Sequence, residues 1–147
     1  MYKLISRINK TDTVSMNFIY FFDLLLSVIF LYLILQKYTF ESEGIFFLVF
    51  YSFDRGGSIV LNILLLGQSF RKKLSVARLH LFLIYVALEI AGIIGYIIHY
   101  GLDSSHLWSE GYIFIIFNAV MTVIFLRRYF FLREIKMYEL AEMEAVE

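Results

Sequence analysis

The chain has 147 residues, of which 61% are apolar and 18% charged, well above the apolar and below the charged share of an ordinary soluble domain. Its 13 Lys plus Arg balance 13 Asp plus Glu, so the basic excess of a nucleic-acid binder is missing and no nucleic-acid partner is expected. Cysteine is absent, which excludes disulfides, thiolate metal sites and all thiol chemistry.

Residues 1–15 form a basic arm. Met1, Leu4, Ile5 and Ile8 recur at helical spacing opposite Lys3, Arg7 and Lys10, which suits a short helix lying on an anionic leaflet. Thr11, Asp12, Thr13 and Ser15 follow as candidate N-caps for a first span. A basic start before an apolar run imitates a signal peptide, but the run is long and lacks a small-residue cleavage pattern, so the segment is expected to be retained.

A helix needs about 20 mostly apolar residues to cross a hydrocarbon core of about 30 Å. Four stretches qualify, at about residues 16–35, 44–67, 79–99 and 107–126. Their runs, such as Phe-Phe-Leu-Val-Phe, do not alternate as barrel strands do. The connections 36–43, 68–78 and 100–106 are short, which makes consecutive helices antiparallel neighbours. The predicted fold is therefore all-α: a polytopic integral membrane protein whose transmembrane domain, residues 16–126, is a four-helix antiparallel bundle.

Sidedness follows from Lys and Arg beside the spans. Lys3, Arg7 and Lys10, then Arg71, Lys72, Lys73 and Arg78, then Arg127, Arg128, Arg133 and Lys136 all fall at one end, against Lys37 alone at the other. Both termini and the middle connection are thus expected in the cytoplasm, in the plasma (inner) membrane of the cell, with Tyr38 and Trp108 marking the outer interface.

The spans carry polar stripes. Tyr51, Asp54, Arg55, Ser58 and Asn62 share roughly one face of the second span. Tyr85, Glu89, Gly92, Tyr96 and His99 step by 4, 3, 4 and 3 along the third, a heptad-like seam. Tyr20, Asp23 and Ser27 add a stripe to the first span, and Asn118 and Thr122 to the fourth. At about 1.5 Å per residue, Asp54, Arg55 and Glu89 lie near the midplane, about 15 Å deep, and Asp23 about 10 Å in. Each charge facing hydrocarbon would cost at least about 2.5 kcal/mol, so all four must pair, protonate or line water. The expected arrangement sets Arg55 between Glu89 and Asp23, with Asp54 projecting toward another neighbour or subunit. Three acids against one base leave two negative charges in surplus.

Gly56 and Gly57, beside this acid and base, suit either a local unwinding of the helix, as at transporter ion sites, or close helix packing. Ala87, Ala91 and Gly95 offer a further small-residue packing face on the third span.

Beyond Leu126 neither Gly nor Pro interrupts the chain, so the fourth span is expected to continue as a helical extension, residues 127–147. Met137, Leu140, Met143 and Val146 recur there every third residue, giving one short contact face. With Arg71, Lys72, Lys73, Arg127 and Arg128 it forms the candidate cytoplasmic docking surface for a protein partner.

His80, His99 and His106 have no metal-ligand spacing, and no catalytic or nucleotide-binding fingerprint occurs. No metal, cofactor or catalytic residue is expected. An enzyme acting on lipid-like substrates is the minority reading. The leading expectation is a homo-oligomeric membrane protein of transport type, an ion or proton pore or transporter. Asp23, Asp54, Arg55 and Glu89 would form its charged path, lined by Tyr51, Ser58, Asn62, Tyr85, Tyr96 and Asn118. The alternative is a non-enzymatic membrane subunit or signalling adaptor that docks its cytoplasmic partner through the basic connection and the C-terminal helix.

Overall fold

The computed structural model describes residues 2–38, 45–71, 74–102 and 112–145. They form four α-helices: α1 (Tyr2–Tyr38), α2 (Ile45–Ser69), α3 (Val76–Leu102) and α4 (Tyr112–Glu144). All four are long and apolar enough to cross a membrane, where a helix suits the need to satisfy every backbone polar group internally. With no proline anywhere, no helix loses a backbone donor. The basic arm does not stand apart: α1 is continuous over 37 residues, about 55 Å at 1.5 Å per residue. Thr11, Asp12, Thr13 and Ser15 therefore lie inside a helix rather than capping one. α4 continues through the basic segment for 33 residues, so the expected helical extension is present.

Ser75 caps α3: its Oγ accepts the Arg78 N–H at 3.2 Å, satisfying one of the free first-turn donors. Ser69 ends α2 by donating its hydroxyl to the Leu66 carbonyl at 2.8 Å.

The closest packing joins consecutive helices, α1 to α2, α2 to α3 and α3 to α4. Side-chain contacts fix their antiparallel sense. Asp12 near the start of α1 meets Arg128 late in α4, while Tyr51 early in α2 meets His99 late in α3. We call the Asp12–Arg128 end of the bundle the basic end and the Tyr51–His99 end the far end.

The distribution of polarity is inverted relative to a soluble domain. Phe18, Phe21, Phe53, Ile94, Ile116 and Val123 are exposed on the periphery. Asp23, Arg55, Ser58, Asn62, Glu89 and Asn118 have no exposed surface at all. Two apolar clusters bracket this polar layer. Toward the basic end lie Tyr20, Leu65, Phe82, Tyr85 and Phe125 among others, with Tyr85 stacked on Phe125 at 3.8 Å between ring centres. Toward the far end Tyr96 stacks on Tyr51 at 4.7 Å and on Phe114 at 5.0 Å.

Met1, the faces assigned to Leu4, Ile5 and Ile8, the docking residues Lys72 and Lys73, Lys37, the interface markers Tyr38 and Trp108, His106 and Val146 lie outside the described residues or side chains.

Candidate functional site

Helical spacing brings the stripes of α1, α2 and α3, with Asn118 of α4, into one buried network. Arg55 is its centre. Its Nε and Nη2 donate to Asp54 Oδ2 at 3.0 and 2.8 Å, and Nη2 also donates to Asn118 Oδ1 at 3.0 Å. Glu89 Oε2 stands 3.6 Å from the same Nη2, so it feels the charge without a close hydrogen bond. The guanidinium carbon lies 6.0 Å from the Phe117 ring centre, at the edge of cation–π range.

From this centre the network runs both ways. Toward the basic end, the Ser58 hydroxyl lies 3.1 Å from Glu89 Oε1 and 3.1 Å from the Asp54 carbonyl. Asn62 Nδ2 donates to the Ser58 carbonyl at 2.9 Å and, in a very short contact, to Asp23 Oδ2. Tyr85 donates its hydroxyl to the same Asp23 oxygen. Toward the far end, Tyr96 donates to Asp54 Oδ2 at 3.4 Å, its ring stacks on Tyr51, and Tyr51 Oη shares a hydrogen bond with His99 Nδ1. Polar side chains thus follow one another from Asp23 to His99.

The expected partners of Arg55 need correction. Asp54 does not project toward another subunit; it is 2% exposed and chelates the neighbouring guanidinium. Adjacent residues leave a helix about 100° apart, but the long arginine stem folds back across that angle. Asp23 does not pair with Arg55; Asn62 and Tyr85 hold it instead.

Several buried polar atoms keep no hydrogen-bond partner among the described residues: Asp23 Oδ1, Asp54 Oδ1, Glu89 Oε2, Asn62 Oδ1, Arg55 Nη1 and Asn118 Nδ2. Two of them meet at Gly92. A Cβ built there would fall 2.5 Å from Asn118 Nδ2 and 2.9 Å from Asp54 Oδ1, so this glycine leaves room for both polar groups. Such atoms in a dry interior carry a desolvation cost of about 1–3 kcal/mol each, and a proton, water or small cation would relieve it. No three His, Asp or Glu side chains among the described residues converge as a metal set.

The glycine readings divide. α2 runs unbroken through Gly56 and Gly57, so the helix does not unwind there. Gly57 and Gly95 make close contacts, to Leu88 and Phe50, while a Cβ at Gly56 would meet open space. Ala87 and Ala91 are exposed and take no part in packing within the bundle. Gly92 supplies the close approach in their place, since the polar seam itself turns inward.

The docking residues divide too. Arg71 and Arg127 are exposed, but Arg128 is 2% exposed and is not available to a partner. Its Nη1 binds Asp12, and its Nη2 donates to Thr13 Oγ1 at 3.0 Å and Asn9 Oδ1 at 3.3 Å. Sequence reasoning missed this clasp because arginines just past a span read as solvated. The signal that reveals it is Asn9, Asp12 and Thr13, one polar face on α1 at the level where α4 turns basic.

No protein-family model matches the chain, and no curated protein or solved structure shows significant similarity to it.

Proposed function

We propose that this protein is a small membrane transporter or pore for protons, with the interior of each four-helix bundle as the path. The reading rests on one observation above all: a buried succession of hydrogen-bonding side chains, from Asp23 through Ser58, Glu89, Arg55 and Asp54 to Tyr96, Tyr51 and His99, holding three carboxyls for one guanidinium. Surplus intramembrane carboxyls are expensive and mark ion or proton routes by default. The aromatic clusters on either side favour protons over hydrated ions. A proton can cross short gaps between closely spaced hydroxyl, carboxyl and imidazole groups by side-chain rotation or through a single water, whereas a hydrated cation needs an open lumen.

In this proposal Glu89 and Asp23 accept and release the proton, and Arg55 binds Asp54 and fixes the register of α2 against α3 and α4. Lys and Arg placement sets both termini and the connection 70–75 in the cytoplasm of the inner membrane. Copies associate through their apolar peripheries as homo-oligomers.

The test is proton flux in liposomes carrying a trapped pH dye, driven by a potassium diffusion potential. Flux from the unmutated protein should fall about a hundredfold in Glu89→Gln, the usual scale for losing a positioned proton-transfer group. Assembly in detergent should not change. Liposomes of unmutated protein that pass no protons defeat the proposal.

One observation favours the adaptor reading as the second. Past the bundle, α4 exposes Met137, Leu140 and Met143, at 62%, 40% and 57%, a face without cover in one chain. Deleting residues 136–147 should then release a copurifying protein partner, and a homo-oligomer alone at native expression argues against it.

A further inference from the structure

At the basic end, α1 and α4 enclose a laterally open groove of about 450 Å³, within the roughly 300–1,000 Å³ of small-molecule sites. Its chemistry changes along its length. Asp12, Arg127 and Arg128 line one part, and Met16, Ile19, Val123 and Ile124 line the other. The change falls at the same level on both helices: α4 carries no charge from Tyr112 to Leu126 and then two arginines, and α1 carries Asp12 and then no charge until Asp23. This is the profile of a phospholipid, headgroup first and chain after.

The arginines are set for an anion. Arg128 is fixed by Asp12, Thr13 and Asn9 through its two terminal nitrogens and lies 5.3 Å from the Phe131 ring centre. Its Nε is buried with no hydrogen-bond partner, and Arg127 beside it is exposed. Asp12, the carboxylate in the groove, is already bound. Behind this pair Tyr20 packs on Phe82 and Phe125, each about one helical turn from Arg78 or Arg128. Arg78 is 6% exposed and lies beside the Tyr20 hydroxyl, on which it acts by charge and hydrogen bonding. The end of the bundle therefore holds two buried guanidiniums, Arg78 and Arg128, with the carboxylate of Asp12 on the second. Phosphate oxygens are the acceptors that suit arginine forks.

We propose that this groove holds one anionic phospholipid, its phosphate bound by the exposed Arg127 and attracted by the buried charge of Arg128 behind it, with one acyl chain lying along Met16, Ile19, Val123 and Ile124. The groove shares no residue with the network that runs from Asp23 to His99.

The test is native mass spectrometry of the full chain in detergent, titrated with phosphatidylglycerol, with phosphatidylcholine, and with phosphatidylglycerol in competition with inorganic phosphate. The anionic lipid should be retained about fivefold more tightly than the zwitterionic one, the scale of one basic side chain at a membrane surface. Arg127→Gln, which removes an exposed side chain and no internal bond, should abolish that preference. Val123→Trp, which fills the apolar part, should reduce retention of the lipid with both arginines intact. Equal retention of the two lipids, or a preference unchanged in Arg127→Gln, overturns the proposal. So does undiminished binding by Val123→Trp, and displacement of the lipid by inorganic phosphate would assign the site to a free anion instead.

Discussion

Arg55 and Arg128 are both almost fully buried, and each is bound to an aspartate, yet their surroundings are opposite in sign. Around Arg55 the carboxyls outnumber the base, and the atoms without a hydrogen-bond partner are of both kinds: the acceptors Asp23 Oδ1, Asp54 Oδ1 and Glu89 Oε2 and the donors Arg55 Nη1 and Asn118 Nδ2. Around Arg128 a second buried guanidinium, Arg78, joins the single carboxylate of Asp12. Carboxyls are in surplus in the middle of the bundle, and guanidiniums at its basic end. One fold thus keeps two polar sites of opposite charge balance apart with the aromatic layer of Tyr20, Phe82, Tyr85 and Phe125. The burial of a charge alone says little about its role; the balance left over by its partners says more.

The contrast is sharpest in the cost of removing each arginine. Arg55→Met strands Asp54 and Glu89 in the interior, and breaking a buried pair from one side costs about 3–5 kcal/mol; unfolding titrations in mixed micelles should show the largest loss here. Arg128→Met strands only Asp12, whose side chain is 32% exposed and can regain water, so the same titration should show about 1.5–3 kcal/mol, the value of hydrogen bonds to a charged group. Equal losses would break the contrast. Gly92→Ala forces apart Asn118 and Asp54 and should cost about 1–3 kcal/mol as overpacking, whereas Ala91→Gly, one residue away on the outer face, should cost no more than the helix-propensity difference of about 1 kcal/mol. Tyr85→Phe is the mildest: Asp23 keeps Asn62, and membrane-embedded hydrogen bonds average about 0.6 kcal/mol. A loss several times larger would place Asp23, not Arg55, at the centre of the network.

The inward stripes were legible because steps of three and four residues mark one helix face whatever the solvent, and in a membrane the polar face has only the interior to go to. Tyr51, Asp54, Arg55, Ser58, Asn62, Tyr85, Glu89, Tyr96 and Asn118 are all buried for that reason. The partners within the network were not legible. Whether Arg55 reaches across to Asp23 or folds back on Asp54 is a matter of side-chain rotamer, which spacing does not encode. The small residues divide by facing: Ala87 and Ala91 point outward, where a small-residue face could serve only contact between copies, and Gly92, counted in the polar seam, is where the helices come close. Arg128 was obscured by the expectation that basic residues at a span's edge meet water, although Asn9, Asp12 and Thr13 wait for it across a helix seam.

The adjacency of Asp54 and Arg55 also bears on how the chain enters a bilayer. A lone ionised side chain at the centre of a span disfavours insertion by at least about 2.5 kcal/mol, and α1 and α3 each carry such a side chain, Asp23 and Glu89, with no opposite charge near it in sequence. α2 brings its own counterion. Its acid and base are neighbours in the chain and can neutralise each other as soon as that turn of helix forms, before any tertiary contact exists. α2 can therefore partition as a closed dipole, and Asn62 and Ser58 on the same face then receive Asp23 and Glu89 from the flanking helices. Of the three spans with a charge at mid-depth, α2 alone carries the opposite charge beside it.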